Sequence, residues 1–219
     1  MKNKTIIILS GGLDSTTVLY YFLHKGHEIK AISFNYGQRH KIELEKAIAT
    51  CKKLKISHEI VDIRTITKLI SNSSLTSNIK VPEGHYEDET MKQTVVPSRN
   101  TIMASIAQGY AYNIGFDNIA LGIHAGDHAI YPDCRAEFLG ALREVFKINN
   151  YKPINVLAPF LHYSKAQIVK IGLKLGVDYS LTHTCYNGKE IACGKCGSCQ
   201  ERLEAFAKNK TKDFIKYKG

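Results

Sequence analysis

Ser10-Gly11-Gly12-Leu13-Asp14-Ser15 is the stretch around which this 219-residue sequence is organised. Four apolar residues, Ile6 to Leu9, precede it, and an apolar-periodic run begins near Thr16. That order reads strand, glycine turn, helix. Paired glycines let the backbone turn tightly and bring consecutive N–H groups to face one point. The helix that follows aims its unsatisfied N–H groups and the positive end of its dipole at the same point. Asp14 or Ser15 is positioned to cap it. Leu9, Ser10, Gly11, Gly12, Leu13, Asp14, Ser15 and Thr16 thus make a candidate phosphate site. The loop holds no lysine, which separates it from the G-x-x-x-x-G-K-[ST] loops that reach β- and γ-phosphates.

The flanking chain alternates strand and helix. Strands are expected at Lys4–Leu9, Glu28–Tyr36, His58–Ile63, Asn118–Ile123 and Val156–Phe160. Helices are expected at Asp14–Lys25, closed by Gly26, and at Gln38–Lys55, Ser98–Asn113 and Asp133–Phe146. A further helix opens at Ser164, with Gln167 completing a capping box, and ends at Gly176. Such alternation predicts an α/β fold with a doubly wound, mostly parallel sheet. Residues 1–180 read as the nucleotide-binding domain and 181–219 as a C-terminal metal-binding segment packed on it. The polar stretch 71–97, opened by Ser71-Asn72-Ser73-Ser74, reads as a long loop ordered by substrate or a partner subunit. The Lys-rich tail from Lys208 to Gly219 reads as frayed.

Composition bounds the function classes. Hydrophobic residues make up 44% of the chain, yet no apolar run nears the roughly 18 residues of a membrane span. The Ile6–Leu9 run behind Lys2 and Lys4 is too short for an export signal, so the expected compartment is the cytoplasm. The formal charge is +10, carried mostly by scattered lysines that read as solvated surface. Arginines are scarce, but Arg39, Arg99 and Arg135 all fall in stretches that follow strands or open helices, where guanidinium suits carboxylate or phosphate.

Six cysteines in such a chain point to metal or catalysis rather than disulfides. Cys185, Cys193, Cys196 and Cys199 are spaced C-x7-C-x2-C-x2-C, with Gly194 and Gly197 easing the turns. Four thiolates complete tetrahedral zinc and leave no open position, so the ion is structural. An iron–sulfur cluster is the competitor. Lys189, Lys195 or Arg202 could offset the negative charge. Cys51 reads as a packed thiol, and Cys134, between Asp133 and Arg135, as the cysteine with reactive potential.

In a doubly wound sheet, ligands bind beyond the carboxyl ends of the strands. There the sequence places Tyr36, Gln38, Arg39 and His40, then Arg99 and Asn100 at a helix start, then Asp133 and Arg135. Together these form a candidate substrate pocket.

Ser10–Ser15 resembles the pyrophosphate loop of the PP-loop ATP pyrophosphatases. Phe34-Asn35-Tyr36-Gly37-Gln38-Arg39-His40, Val96-Pro97-Ser98-Arg99-Asn100, Tyr131-Pro132-Asp133-Cys134-Arg135 and the Thr184–Cys199 cluster resemble the QueC family of queuosine biosynthesis, collinearly from residue 5 to about 206. The resemblance implies conversion of 7-carboxy-7-deazaguanine, ammonia and Mg-ATP to the 7-cyano nucleobase through acyl-adenylate and amide intermediates. It implies one structural zinc per chain and a homodimer. Arg99 or Arg135 would neutralise the carboxylate or developing charge, and Asp133 would read the guanine-like edge. The family pattern has Asp where Asn35 stands and Gly where Ser98 stands; His183-Thr184 also departs from it. No general-base role carries over to Asn35. A PP-loop tRNA thiolase and a zinc-containing nucleic-acid-binding module are the rival readings. Nucleic acid is not an expected partner, because no separate RNA-binding domain fits in this length.

Overall fold

The structure is a computed structural model, described for residues 2–70, 72–77, 79–85, 88–124, 126 and 129–218. Its centre is a five-stranded, wholly parallel sheet in the order β3-β2-β1-β4-β5. The strands are β1 (Lys4–Ile8), β2 (Glu28–Asn35), β3 (Ser57–Asp62), β4 (Asn118–Ala120) and β5 (Asn155–Leu157). The helices are α1 (Leu13–His24), α2 (Ile42–Leu54), the single turn α3 (Arg64–Thr67), α4 (Arg99–Asn113), α5 (Ala136–Ile148), α6 (Lys165–Lys174) and α7 (Gly197–Lys208).

Side chains alternate across a strand, so β1 feeds two cores. Ile6 packs with Met103, Ala107, Leu139 and Phe146 of α4 and α5 on one face. Ile7 packs with Val18, Leu19, Ala47, Ile168 and Phe206 of α1, α2, α6 and α7 on the other. This is the expected doubly wound arrangement. The strand order reverses between β1 and β4, and such a switch point opens a crevice at the strands' carboxyl ends. No helix among the described residues is long and apolar enough to cross a membrane.

Several local expectations are corrected. Neither Asp14 nor Ser15 caps α1; Gly12 is its N-cap residue and no side chain caps it. Residues 38–41 are turn rather than helix, because the Gln38 amide is spent on the turn itself. Its Oε1 accepts from the Tyr36 N–H at 2.9 Å and its Nε2 donates to the Phe34 carbonyl at 3.1 Å. A 3-10 turn, Pro132–Cys134, precedes α5, whose first residue is Ala136. The capping box is present: Ser164 Oγ accepts from the Gln167 N–H, and Gln167 Oε1 from the Ser164 N–H.

Ser71 lies outside the described residues, but much of the polar stretch that it opens packs on its own chain. Ser73, Leu75, Met91 and Thr94 are buried. Arg39 fastens the stretch, donating to the carbonyls of Ile79 at 2.8 Å and Ser74 at 3.4 Å.

The tail is docked as well, although Gly219 lies outside the described residues. Ala192 ties the tail down with two backbone bonds, its N–H donating to the Lys216 carbonyl and its carbonyl accepting from the Lys218 N–H. Arg202, buried in α7, holds Asp213 through two bonds of 2.7 and 2.9 Å. Local composition promised fraying; a buried ion pair overrides it.

Candidate functional site

At the β1–β4 switch point lies a cleft of about 200 Å³. Its floor is the glycine loop. Gly11 has φ +88, and a Cβ there would stand 1.9 Å from the Glu43 carbonyl, so the start of α2 lies directly on the loop. On the other side, a Cβ on Gly122, just past β4, would meet Ser15 N at 2.9 Å. Ser15 Oγ accepts from the Ser10 N–H at 3.1 Å and contacts Ser10 Oγ at 2.9 Å, while Ser10 Oγ accepts from the Gly12 N–H. These hydroxyls fix the loop so that the first N–H groups of α1, which lack intrahelical acceptors, face the cleft. Leu9, Ser10, Gly12, Asp14 and Ser15 line it; Gly11, Leu13 and Thr16 support it from behind.

The opposite wall carries Tyr36, Gln38, Arg99, Asn100 and Tyr131. The Arg99 guanidinium sits 6.0 Å from the Tyr36 ring centroid. Burial opposes its charge, but Tyr36, Asp133, Cys134 and Tyr131 outweigh that opposition and keep it cationic. It springs from the first turn of α4, after Ser98 at φ +55, ψ 17. That left-handed conformation is one that glycine adopts without strain, which accounts physically for the glycine of the family pattern.

The remaining expected residues fall elsewhere. Asp133 accepts from the Asn100 N–H at 3.1 Å, and Asn100 Nδ2 donates to the Asp133 carbonyl at 3.0 Å. Asp133 thus supports the start of α4, outside the cleft lining. Arg135 is exposed at the start of α5 and Arg39 faces the 71–97 stretch; neither lines the cleft. His40 lies buried behind Tyr36, its Nε2 3.4 Å from the Tyr36 hydroxyl. Burial, then Arg99 and His183, push its pKa down to about 3, so the imidazole is neutral. Asn35 Oδ1 accepts from the Gly37 N–H, a turn contact outside the cleft.

The lining also includes residues that no local signal marked. Lys165, from the first turn of α6, places its ammonium 2.6 Å from Asp14 and 3.3 Å from Glu201. Glu43, in the first turn of α2, faces the cleft with its pKa pushed up to about 8 by burial, against the pull of Arg99. Thr184, Tyr186, Ser198 and Glu201 come from the C-terminal segment, so the cysteine-bearing part of the chain is one wall of the site.

The four cysteine Sγ atoms lie within 4.8 Å of one another. Tetrahedral bonds of about 2.3 Å give sulfur–sulfur edges of roughly 3.8 Å, and Cys193 and Cys199 are 3.9 Å apart. The backbone N–H groups of Cys193, Lys195 and Cys196 donate to cluster sulfurs at 3.3–3.4 Å, as thiolate ligands require. Cys199 lies in the first turn of α7, where the dipole favours thiolate. These donors fit a single metal ion. A four-iron cluster sets each thiolate on a separate corner and spreads its sulfurs wider. Of the three cations considered for offsetting the cluster's charge, Arg202 is committed to Asp213 and Thr182, while Lys189 and Lys195 are exposed. Cys51 is a packed thiol as expected, its pKa raised to about 11 by burial. Cys134 lines the cleft, its Sγ 3.5 Å from Asn100 Nδ2.

The profile described as "Queuosine biosynthesis protein QueC" matches residues 4–210. The chain belongs to the QueC family. Among curated relatives, the QueC-family 7-cyano-7-deazaguanine synthase of Pseudoalteromonas atlantica is 52% identical over 217 residues, covering 99% of this chain and 100% of that protein. That of Hahella chejuensis is 53% identical over 219 residues, covering 100% and 95%. In fold, this QueC chain is similar to a 4-thiouridine synthetase solved with RNA and ATP (TM-score 0.55, 18% identity, 98% of this chain and 47% of that one). It is also similar to the NMN synthetase of Francisella tularensis (TM-score 0.54, 13% identity, 96% and 78%).

Proposed function

We propose that this protein is an ATP-dependent carbon–nitrogen ligase that turns 7-carboxy-7-deazaguanine and ammonia into 7-cyano-7-deazaguanine for queuosine biosynthesis. The observation that carries the reading is the full-length likeness to 7-cyano-7-deazaguanine synthases, at 52–53% identity. The geometry supports it: one cleft joins a lysine-free phosphate loop to a wall bearing a cation and aromatic rings.

A carboxylate is a poor electrophile, and adenylation turns one of its oxygens into a leaving group. The loop from Ser10 to Ser15 holds the departing diphosphate of Mg-ATP through its backbone N–H groups. Arg99 faces the substrate carboxylate and the negative charge that develops on it. Tyr36 and Tyr131 give the flat nucleobase a surface to stack on, and Asn100 hydrogen-bonds its edge. Ammonia attacks the acyl-adenylate to give the amide. A second activation of the amide oxygen, followed by loss of AMP, gives the nitrile. Both steps activate an oxygen on the same carbon, so one site serves for both.

Zinc is the ion assigned to Cys185, Cys193, Cys196 and Cys199, with a structural role: it holds residues 181–219 as the wall of the domain formed by 1–180. The compartment is the cytoplasm, the partners are small molecules rather than nucleic acid, and the chain works as a homodimer. Light scattering on eluted protein tests the last point. The decisive experiment incubates the protein with 7-carboxy-7-deazaguanine, ammonium and Mg-ATP, with the nitrile and AMP read by mass spectrometry. ATP consumption without a nitrile, or no reaction at all, overturns the assignment.

A further inference from the structure

The reaction proposed above needs a proton acceptor. As ammonia bonds to the acyl carbon, its nitrogen becomes positively charged, and the adduct must lose a proton before it collapses to the amide. Asn35, at the end of β2, is an amide that cannot take the proton, and its Oδ1 is committed to the Gly37 N–H.

Among the described residues, the carboxylates lining the cleft are Asp14, Glu43 and Glu201. Asp14 and Glu201 share the Lys165 ammonium. Glu43 makes no ion pair with lysine or arginine among the described residues; its near neighbour is His40 Nε2, 3.7 Å from Oε2. The Glu43 side chain is only 13% exposed, so it is held rather than solvated.

Its position is fixed by packing. The Glu43 carbonyl bears on Gly11, and its Oε1 comes within 3.9 Å of where a Cβ would stand on Gly12. Its charge interacts with Asp14, on the loop side, and with Arg99, on the opposite wall. The carboxylate therefore stands between the phosphate floor and the Tyr36–Arg99 wall. With the diphosphate on the floor and the nucleobase against the wall, the acyl–phosphate linkage crosses that same space.

We propose that Glu43, in its ionised form, accepts the proton released when ammonia attacks the acyl-adenylate. The nitrogen lone pair forms the C–N bond while the carbonyl π pair moves onto oxygen. Glu43 takes one N–H proton, leaving a neutral amino group. The oxygen pair then re-forms C=O, and the C–O bond to the adenylate phosphate breaks with its electron pair leaving on AMP. The products are amide, AMP and protonated Glu43, which returns its proton to water. Nothing is oxidised or reduced.

The test separates the two half-reactions. Glu43→Gln keeps size and hydrogen bonding but cannot take the proton. Adenylation is read by ATP–pyrophosphate exchange with 7-carboxy-7-deazaguanine, and nitrogen transfer by amide formation from ammonium. General-base loss predicts a fall of about 10²–10⁴-fold in amide formation, with exchange falling far less. Hydroxylamine, whose adduct is acidic enough to lose its proton to water, still yields hydroxamate in the variant. Amide formation near the wild-type rate overturns the proposal, and so does an equal fall in exchange, hydroxamate and amide in a folded variant. Should Glu43→Gln not fold, Glu43→Asp decides: a larger fall with ammonia than with hydroxylamine supports the role, and equal falls refute it. Failure of the underlying function looks different, because the wild-type protein itself would then make no amide.

Discussion

Asp213→Ala is the substitution with the clearest expected cost. Asp213 and Arg202 side chains are 2% and 1% exposed, joined by two bonds. Asp213 also accepts from the Tyr217 hydroxyl at 2.5 Å and the Phe214 N–H at 2.6 Å. Truncating it leaves a guanidinium buried with only Thr182 and the Tyr179 carbonyl. Removing one partner of a buried pair costs about 3–5 kcal/mol. For a domain of this length each kcal/mol lowers Tm by roughly 2–4 °C, so the fall is roughly 6–20 °C. The chain has a cheaper escape, which is to release the tail and let water reach Arg202. Hydrogen exchange separates the two responses: release deprotects the Ala192 and Lys218 amides, which bond across the segment, before the sheet melts. Adding Arg202→Met, which keeps an apolar stem against Phe206, recovers part of the loss. A melting point within about 2 °C of wild type, with both amides still protected, would refute the reasoning.

Gly11→Ala forces a side chain into φ +88 and against the Glu43 carbonyl. The conformational cost alone is about 1–2 kcal/mol, and the loop must move off α2; calorimetry with Mg-ATP is expected to show lost binding in a folded protein. Arg99→Ala is expected to lower kcat/KM for nitrile formation by about 10²–10³-fold, the usual loss for one group facing developing charge; unchanged steady-state constants remove Arg99 from the mechanism. His40→Gln tests pH dependence. The folded pKa of about 3 lies below the unfolded 6.5, so the unfolded chain protonates first and wild-type stability drains as pH falls from 6.5. Glu43, raised from 4.5 to about 8, acts oppositely, stabilising as pH falls through 8. The two offset each other between 4.5 and 6.5. Urea titrations should show His40→Gln gaining on wild type by about 1.4 kcal/mol per pH unit in that window; parallel curves contradict it.

What could be read from the chain was whatever local pattern determines. The β1–loop–α1 unit, the Ser164–Gln167 capping box and the cysteine spacing are each set within a few residues, and each stands in the structure. The misread boundaries have tertiary causes. Gln38 looks helical until its amide is seen holding the turn, and β4 and β5 stop after three residues each. α7 was not legible because its first turn is glycine, serine and cysteine, with Cys199 drawn into the cysteine cluster. Within the site, Tyr36, Asn100 and Arg99 were found because each follows a strand or opens a helix. Lys165, Glu201 and Glu43 were not, since nothing in their own segments records that α6, α7 and α2 converge on one loop. Arg39 and Asp133 were noticed for the right chemistry and given the wrong partners: they hold backbone.

The His183 N–H donates to the Gly11 carbonyl at 3.1 Å. Residues 172 apart by number thus close one ring of backbone. During synthesis, a nascent chain that has emerged only through β5 carries the nest for phosphate with one side missing. The loop is closed from that side only once His183 has left the ribosome.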